Sequence, residues 1–267
     1  MNDALARLGL IDEDDIVLDE AALALATLDH DQVDEAPYIQ LLASMASRLA
    51  REGRGARSAR TRADALSLVI SAEFGFLGDR ETYDDPANAD LIRVIDRRQG
   101  LPVSLSILYV AAARRIGWTA EVLNVPGHVL VLVGDEAAPV IVDPFRGGIA
   151  VDAHSLANLR ALTAGASPPA VQHVAAMPNR AVLVRLLLNQ ATRAESAGHG
   201  RRALTLYRRM TVIAPEYGHA WWERARLELS DDDVAAARRS LSAMLEVTRE
   251  PEQRERIITT LSALKAS

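Results

Sequence analysis

The chain contains no cysteine. That excludes disulfides, thiolate metal sites and a cysteine nucleophile. A global excess of basic charge is also missing. The formal net charge is −6, and the arginine clusters within 48–62 and 201–209 are offset by acidic residues elsewhere, so neither nucleic acid nor an anionic membrane surface is an expected partner. No apolar run approaches the ~20 residues a membrane helix needs. The N-terminal stretch is acidic, with Asp12-Glu13-Asp14-Asp15, and lacks the basic-then-apolar pattern of an export signal. These absences together predict a cytoplasmic protein that does not enter the membrane.

Signatures of bound groups are equally scarce. His30, His154, His173, His199 and His219 show no metal-ligand spacing. Glu13, Asp14 and Asp15 do not have the spacing of a calcium loop. There is no Gly-x-x-x-x-Gly-Lys phosphate loop, and Gly53-x-Gly55 lies in a basic, helical context unlike a dinucleotide site. Neither a metal nor a cofactor is expected.

What is present is a chain of 267 residues, 49% hydrophobic. That suits one sizeable domain plus a small one, or two medium domains. Residues 1–75 read mostly as helix packed on the core. Ile39, Leu42, Met45 and Leu49 recur at steps of three and four, one face of a helix that Pro37 can start. A second pattern over 61–76 ends at Gly75 and Gly78. Tyr83-Asp84-Asp85-Pro86-Ala87-Asn88 has the composition of a turn, and residues 91–98 follow as a short helix.

The segment from Arg97-Arg98-Gln99-Gly100-Leu101-Pro102-Val103-Ser104-Leu105 to Gly148 organises the rest. Gly100 breaks the preceding helix and Pro102 is preset for the first turn of the next. Residues 103–116 are apolar on nearly every side, the mark of a buried helix. Three strands are expected next, over 121–125, 128–133 and 140–143. The second and third are apolar at both parities, as in a sheet covered on both faces. If they form a hairpin with Val133 opposite Val140, then Leu130 lies opposite Asp143 and His128 is its diagonal neighbour. A slip of one residue would separate the two side chains.

A third feature is an internal repeat. Ala191 and Ala225, Ala203 and Ala237, Leu187 and Trp221, Tyr207 and Leu241, and Met210 and Met244 are all 34 apart. That period, with small and large apolar residues at fixed offsets, is the tetratricopeptide pattern. The expected organisation is a helical region at 1–75, a core at 76–165, a linker at 166–178 and a helical-repeat region at 179–267. Trp221 sits at a repeat position that packs between helices; Trp222 is expected to be partly exposed.

A His oriented by an Asp is the back half of a nucleophile–base–orienter triad. The front half would sit at the start of the buried helix, where the helix dipole can stabilise an oxyanion. The order helix, His strand, Asp strand is that of transglutaminase-like and papain-like enzymes. Arg98-Gln99-Gly100-Leu101-Pro102-Val103-Ser104-Leu105-Ser106-Ile107-Leu108-Tyr109, Pro126-Gly127-His128 and Asp143-Pro144-Phe145-Arg146-Gly147-Gly148 resemble the core motifs of the SirB-type transglutaminase-like family. The resemblance spans roughly residues 60–267. It implies an α+β fold, mainly helical, in which a transglutaminase/papain-like core of buried helix and small antiparallel sheet precedes tetratricopeptide-like helices. It also implies that His128 and Asp143 occupy the His and Asp positions.

The nucleophile position is Pro102 or Ser104, and neither is a thiol. Proline can do no nucleophilic chemistry. Serine relies far more on its base and oxyanion hole than a thiol does. Two readings follow. One is a degenerate, non-catalytic transglutaminase-like module that binds a protein or peptide, through the C-terminal repeats. The other is a serine-dependent amide hydrolase or acyltransferase using Ser104, His128 and Asp143. Each residue also has a structural role open to it: Ser104 satisfying first-turn amides, and Asp143 capping the turn that follows it.

Overall fold

The computed structural model describes residues 3–125, 127–134, 137–152, 154–157 and 175–264. Most of the segment expected as a linker, 166–174, therefore lies outside the described residues. Two units are present: residues 13–183, and residues 1–12 together with 184–267.

In the chain order, α1 (Asp3–Leu10) belongs to the second unit. The first unit starts with α2 (Leu18–Thr27) and α3 (Ala36–Glu52). On α3, Leu42, Met45 and Leu49 are buried, whereas Ile39, expected on the same stripe, is 51% exposed. It stands one turn before the packed segment. α4 (Ala59–Leu66) begins at a capping box in which the Ser58 hydroxyl accepts from the Thr61 amide. Such a box satisfies amides the first turn leaves open.

α4 does not continue as α-helix. Ser67–Glu73 is π-helical, with the Phe74 amide reaching back five residues to the Val69 carbonyl at 3.0 Å. Gly75, at φ +78°, then ends the helix as its position in the sequence predicts. Next come β1 (Leu77–Gly78), a 3-10 turn at Pro86–Ala89, α5 (Leu91–Arg97) and β2 (Gln99–Gly100). β1 and β2 pair in parallel, Leu77 with Gln99 and Gly78 with Gly100.

α6 (Pro102–Arg115) is buried continuously from Pro102 to Ala113. A helix apolar all round has nowhere else to go. Its last turn is tied by Arg115, which grips Asp19 at 2.8 Å, and by Arg114, which donates to the Ala120 carbonyl. The sheet follows as β3 (Ala120–Val125), β4 (His128–Val133), β5 (Val140–Asp143) and β6 (Ile149–Ala150), with β7 (Ala175–Ala176) returning to the far edge. The order is β6-β5-β4-β3-β7, antiparallel throughout.

Val133 pairs with Val140 and Val131 with Val142, the register expected from the sequence. One face buries Leu123, Val125 and Leu130 beneath Val151 and Leu156. α6 packs against β3 and β4, where Val122, Val129, Val131 and Val133 are at most 3% exposed. Both faces are thus covered, which explains why the strands are apolar at both parities.

The second unit contains most of α7 (Asn179–Ser196), then α8 (Gly200–Ile213), α9 (Gly218–Ser230), α10 (Val234–Val247) and α11 (Pro251–Ala263). The 34-residue period is conformational as well as chemical. Gly198 (φ +75°) and Asp232 (φ +60°) take left-handed backbone at equivalent turns. Ala191, Ala203, Ala225 and Ala237 are all at most 2% exposed, so helices meet at small side chains. Trp221 packs into the cluster of Ala225, Leu241 and Ile257, while Trp222 is 37% exposed. Within this unit α1 lies on α8 so closely that a Cβ on Gly9 would fall 2.6 Å from the Val212 carbonyl oxygen.

Candidate functional site

The site grows from the start of α6. The Asn88 carbonyl accepts two hydrogen bonds there, from the Leu101 amide at 3.0 Å and the Ser104 hydroxyl at 2.7 Å. Ser104 has no exposed surface. Its hydroxyl proton ties α6 to the preceding 3-10 turn, satisfying a carbonyl that burial would otherwise strand.

Asn88 is itself held by a polar clasp. Its amide donates to the Thr82 carbonyl at 2.6 Å, and its side-chain oxygen accepts from Arg97 at 3.1 Å. Arg97 also pairs with Asp79 at 2.7 Å. Asp79 is 1% exposed and accepts from the Thr82 amide at 2.8 Å and from the Glu81 amide at 3.0 Å. Burial disfavours its charge, but hydrogen bonds from Thr82, Asn88 and Arg97 outweigh that and hold the carboxyl well below the usual carboxylate range. The next arginine, Arg98, takes φ +58° and lays its guanidinium over Phe76, 4.7 Å from the ring centre.

On the sheet, β3 and β4 turn back with Val125 opposite His128. His128 then lies with Nε2 3.0 Å from Oδ2 of Asp143. The Asp143 side chain is 5% exposed and that of His128 16%. The other Asp143 oxygen accepts the Phe145 amide at 3.0 Å and starts the 3-10 turn Pro144–Arg146. Asp143 therefore caps the turn and meets the histidine at once, since each oxygen has its own partner. Gly147 and Gly148 follow at φ +76° and +77°.

That turn is packed with little slack. The Ser67 hydroxyl, from the π-helical segment, donates to the Gly147 carbonyl at 2.6 Å. A Cβ on Gly148 would lie 2.6 Å from the Tyr109 hydroxyl oxygen. A Cβ on Gly78 would lie 2.4 Å from the Phe145 ring. Burial, with the Asp143 charge added, pushes the Tyr109 phenol above its ordinary range. Among the described residues, neither the Tyr109 nor the Ser106 hydroxyl has a hydrogen-bond partner. Phe145 stands edge-to-face with His128 at 6.3 Å and with Tyr83 at 5.7 Å, so an aromatic row borders the histidine.

The geometry brings His128 and Asp143 together. It commits the Ser104 hydroxyl to the Asn88 carbonyl. Pro102 is buried in the first turn of α6. Among the described residues no group of three or more His, Cys, Asp and Glu could hold a metal ion, and no helix is long and apolar enough to cross a membrane. Three participants are not singled out by pattern alone: Asp79, Arg97 and Phe145. The Asp79-to-Thr82 spacing of a side-chain-to-backbone turn is the one local signal for the first. The Arg97 and Phe145 contacts depend on tertiary packing.

Comparison with known proteins agrees with this architecture. A family profile described as Transglutaminase-like superfamily matches residues 36–188. A UPF0162 protein of Xylella fastidiosa (strain 9a5c) is 27% identical over 244 residues, covering 90% of this chain and 87% of that one. A UPF0162 protein of Vibrio cholerae is 31% identical over 192 residues, 67% of this chain and 68% of its own. F-box only protein 21 of Homo sapiens is 37% identical over 67 residues, which is 25% of this chain and 11% of that protein. With its buried helix, covered antiparallel sheet and His–Asp contact, the chain belongs to the transglutaminase-like superfamily and, within it, to the UPF0162 proteins.

Proposed function

We propose that this protein is a non-catalytic transglutaminase-like module that binds a protein or peptide. The observation that carries the reading is the fate of the Ser104 hydroxyl. It has no exposed surface and donates to the Asn88 carbonyl, so its proton is engaged away from a base. A serine nucleophile must instead present its hydroxyl to a histidine. With no cysteine in the chain and proline at the other candidate position, His128 and Asp143 have no nucleophile to serve. Their contact then orders the turn that carries Phe145.

Binding is assigned to the 179–267 helices, whose 34-residue period is that of tetratricopeptide-like repeats; stacked helix pairs of this kind present an extended face to peptides. The alternative, a serine-dependent amide hydrolase or acyltransferase, draws its support from the His128–Asp143 contact of 3.0 Å. A fluorophosphonate probe separates the two. The non-catalytic reading expects no labelling. Labelling of the wild type that disappears in Ser104→Ala would refute it and restore the hydrolase.

A further inference from the structure

The second unit holds a groove that the transglutaminase-like chemistry does not use. It runs between α9 and α11. At one end a cavity of about 340 Å³ is lined by His219, Trp222, Met244, Gln253, Arg256 and Ile257. That is near the lower end of the ~300–1,000 Å³ typical of binding pockets, room for one or two side chains. The other end shares Trp222 and Arg256 and adds Glu252 and Glu255.

The lining repeats with the fold. His219 and Gln253, and Trp222 and Arg256, are 34 residues apart. They are equivalent positions on successive helices, so the groove is a product of stacking.

Its chemistry is lopsided. The cavity has an apolar lining: Ile257 at 1% exposure, Met244 at 8%, and the 37% exposed indole of Trp222. Its polar lining consists of Gln253, Arg256 and His219, without a carboxylate. Gln253 and Arg256 form no side-chain hydrogen bond or ion pair among the described residues, although most arginines of this unit do. His219 is steadied by an edge-to-face contact with Tyr217 at 6.0 Å. Apolar surface beside an uncommitted guanidinium favours a ligand with an apolar body next to an anion.

We infer that this groove docks a peptide segment of a partner protein in which an apolar side chain is followed or preceded by an acidic one. The apolar side chain seats on Trp222, Met244 and Ile257. The carboxylate is met by Arg256, with Gln253 and His219 beside it. Glu252 and Glu255 at the other end repel a second acidic residue, so the acidic character of the segment is confined to one side. The inference rests on the peptide-binding reading above and adds the site and the partner's chemistry to it.

The test uses the full chain and three short fluorescein-labelled peptides, each with a central leucine in a Gly-Ser background flanked on one side by aspartate, serine or lysine. Fluorescence anisotropy gives the affinities. The aspartate peptide is expected to bind most tightly. Trp222→Ala should weaken it by about tenfold or more, and Trp222→Phe, which keeps a flat apolar face, should weaken it less. Arg256→Glu should reverse the preference toward the lysine peptide. All of these change exposed side chains, and unchanged thermal melts verify folding.

Equal affinity for the three peptides, or no binding of any, overturns the proposal. Aspartate-peptide binding undiminished by both Trp222→Ala and Arg256→Glu also overturns it, while leaving the broader peptide-binding reading intact. Self-association of the wild type abolished by Trp222→Ala would assign the groove to a second copy of the chain and overturn it too. Failure of the non-catalytic reading shows separately, as fluorophosphonate labelling.

Discussion

Replacing Asp79 by asparagine tests whether the polar clasp around Asn88 positions the start of α6. Asp79 and Arg97 are 2.7 Å apart, with side chains 2% and 29% exposed. Removing one partner of a fully buried ion pair costs ~3–5 kcal/mol. Here water reaches Arg97, and asparagine still accepts from the backbone amides of Glu81 and Thr82, so the loss should be smaller, about 2–3 kcal/mol. For a unit of this size that lowers Tm by roughly 4–12 °C. Far-UV circular dichroism of the full chain measures it.

The pH dependence fixes the mechanism. The Asp79 carboxyl is held below its ordinary range in the fold. Its contribution is therefore present above the unfolded value, ~3.9, and is lost as pH falls toward the folded value. The gap between wild type and Asp79→Asn should be full at pH 7, nearly full at pH 5, and smaller by about 1 kcal/mol at pH 3. A gap below about 2 °C at pH 7, or one that widens from pH 5 to pH 3, would refute the reasoning.

Four further outcomes are expected. Ser104→Ala should lower stability by about 0.5–1.5 kcal/mol through the lost bond to Asn88, and an unchanged denaturation midpoint would argue that the bond contributes nothing. Gly78→Ala drives a methyl into Phe145 and should cost about 1–3 kcal/mol; equal or higher stability would mean that the β1–β2 pair shifts freely. Glu228, with no exposed surface, pairs with Arg224 at 3.0 Å and accepts from Ser240 at 2.7 Å. Glu228→Ala should cost about 3–5 kcal/mol and speed amide exchange in α9 and α10; unaltered protection there would count against it. Gly198→Ala, at φ +75°, should cost about 1 kcal/mol, checked by the same chemical denaturation.

Much of the fold could be read from local pattern because burial imposed it. A helix apolar on every side became α6, and strands apolar at both parities became a sheet covered on both faces. The hairpin register followed from Val133 and Val140, which is why the His128–Asp143 contact was foreseeable. The Asp79–Arg97–Asn88 clasp was not. Its members lie up to 18 residues apart, and nothing in the periodicity of a charged residue says which partner it will meet. The π-helical stretch was equally hidden, since its apolar spacing passes for an α-helix. Ser104 illustrates a different limit: its residue type fits a nucleophile, and only the Asn88 carbonyl shows where its proton goes.

That π-helical stretch acts as a phase setting. An α-helix advances about 100° per residue, so one extra residue in a turn re-aims everything after it. Ser67 enters the segment aimed at the Gly147 carbonyl, and Phe76 leaves it beneath the guanidinium of Arg98. Deleting a single residue between 67 and 73 would restore ordinary α-helix and relieve the weaker hydrogen bonding, yet would rotate Phe76 out from under Arg98. The added residue is the gauge that keeps the helical layer and the 144–148 turn in step, and length there is constrained more tightly than composition.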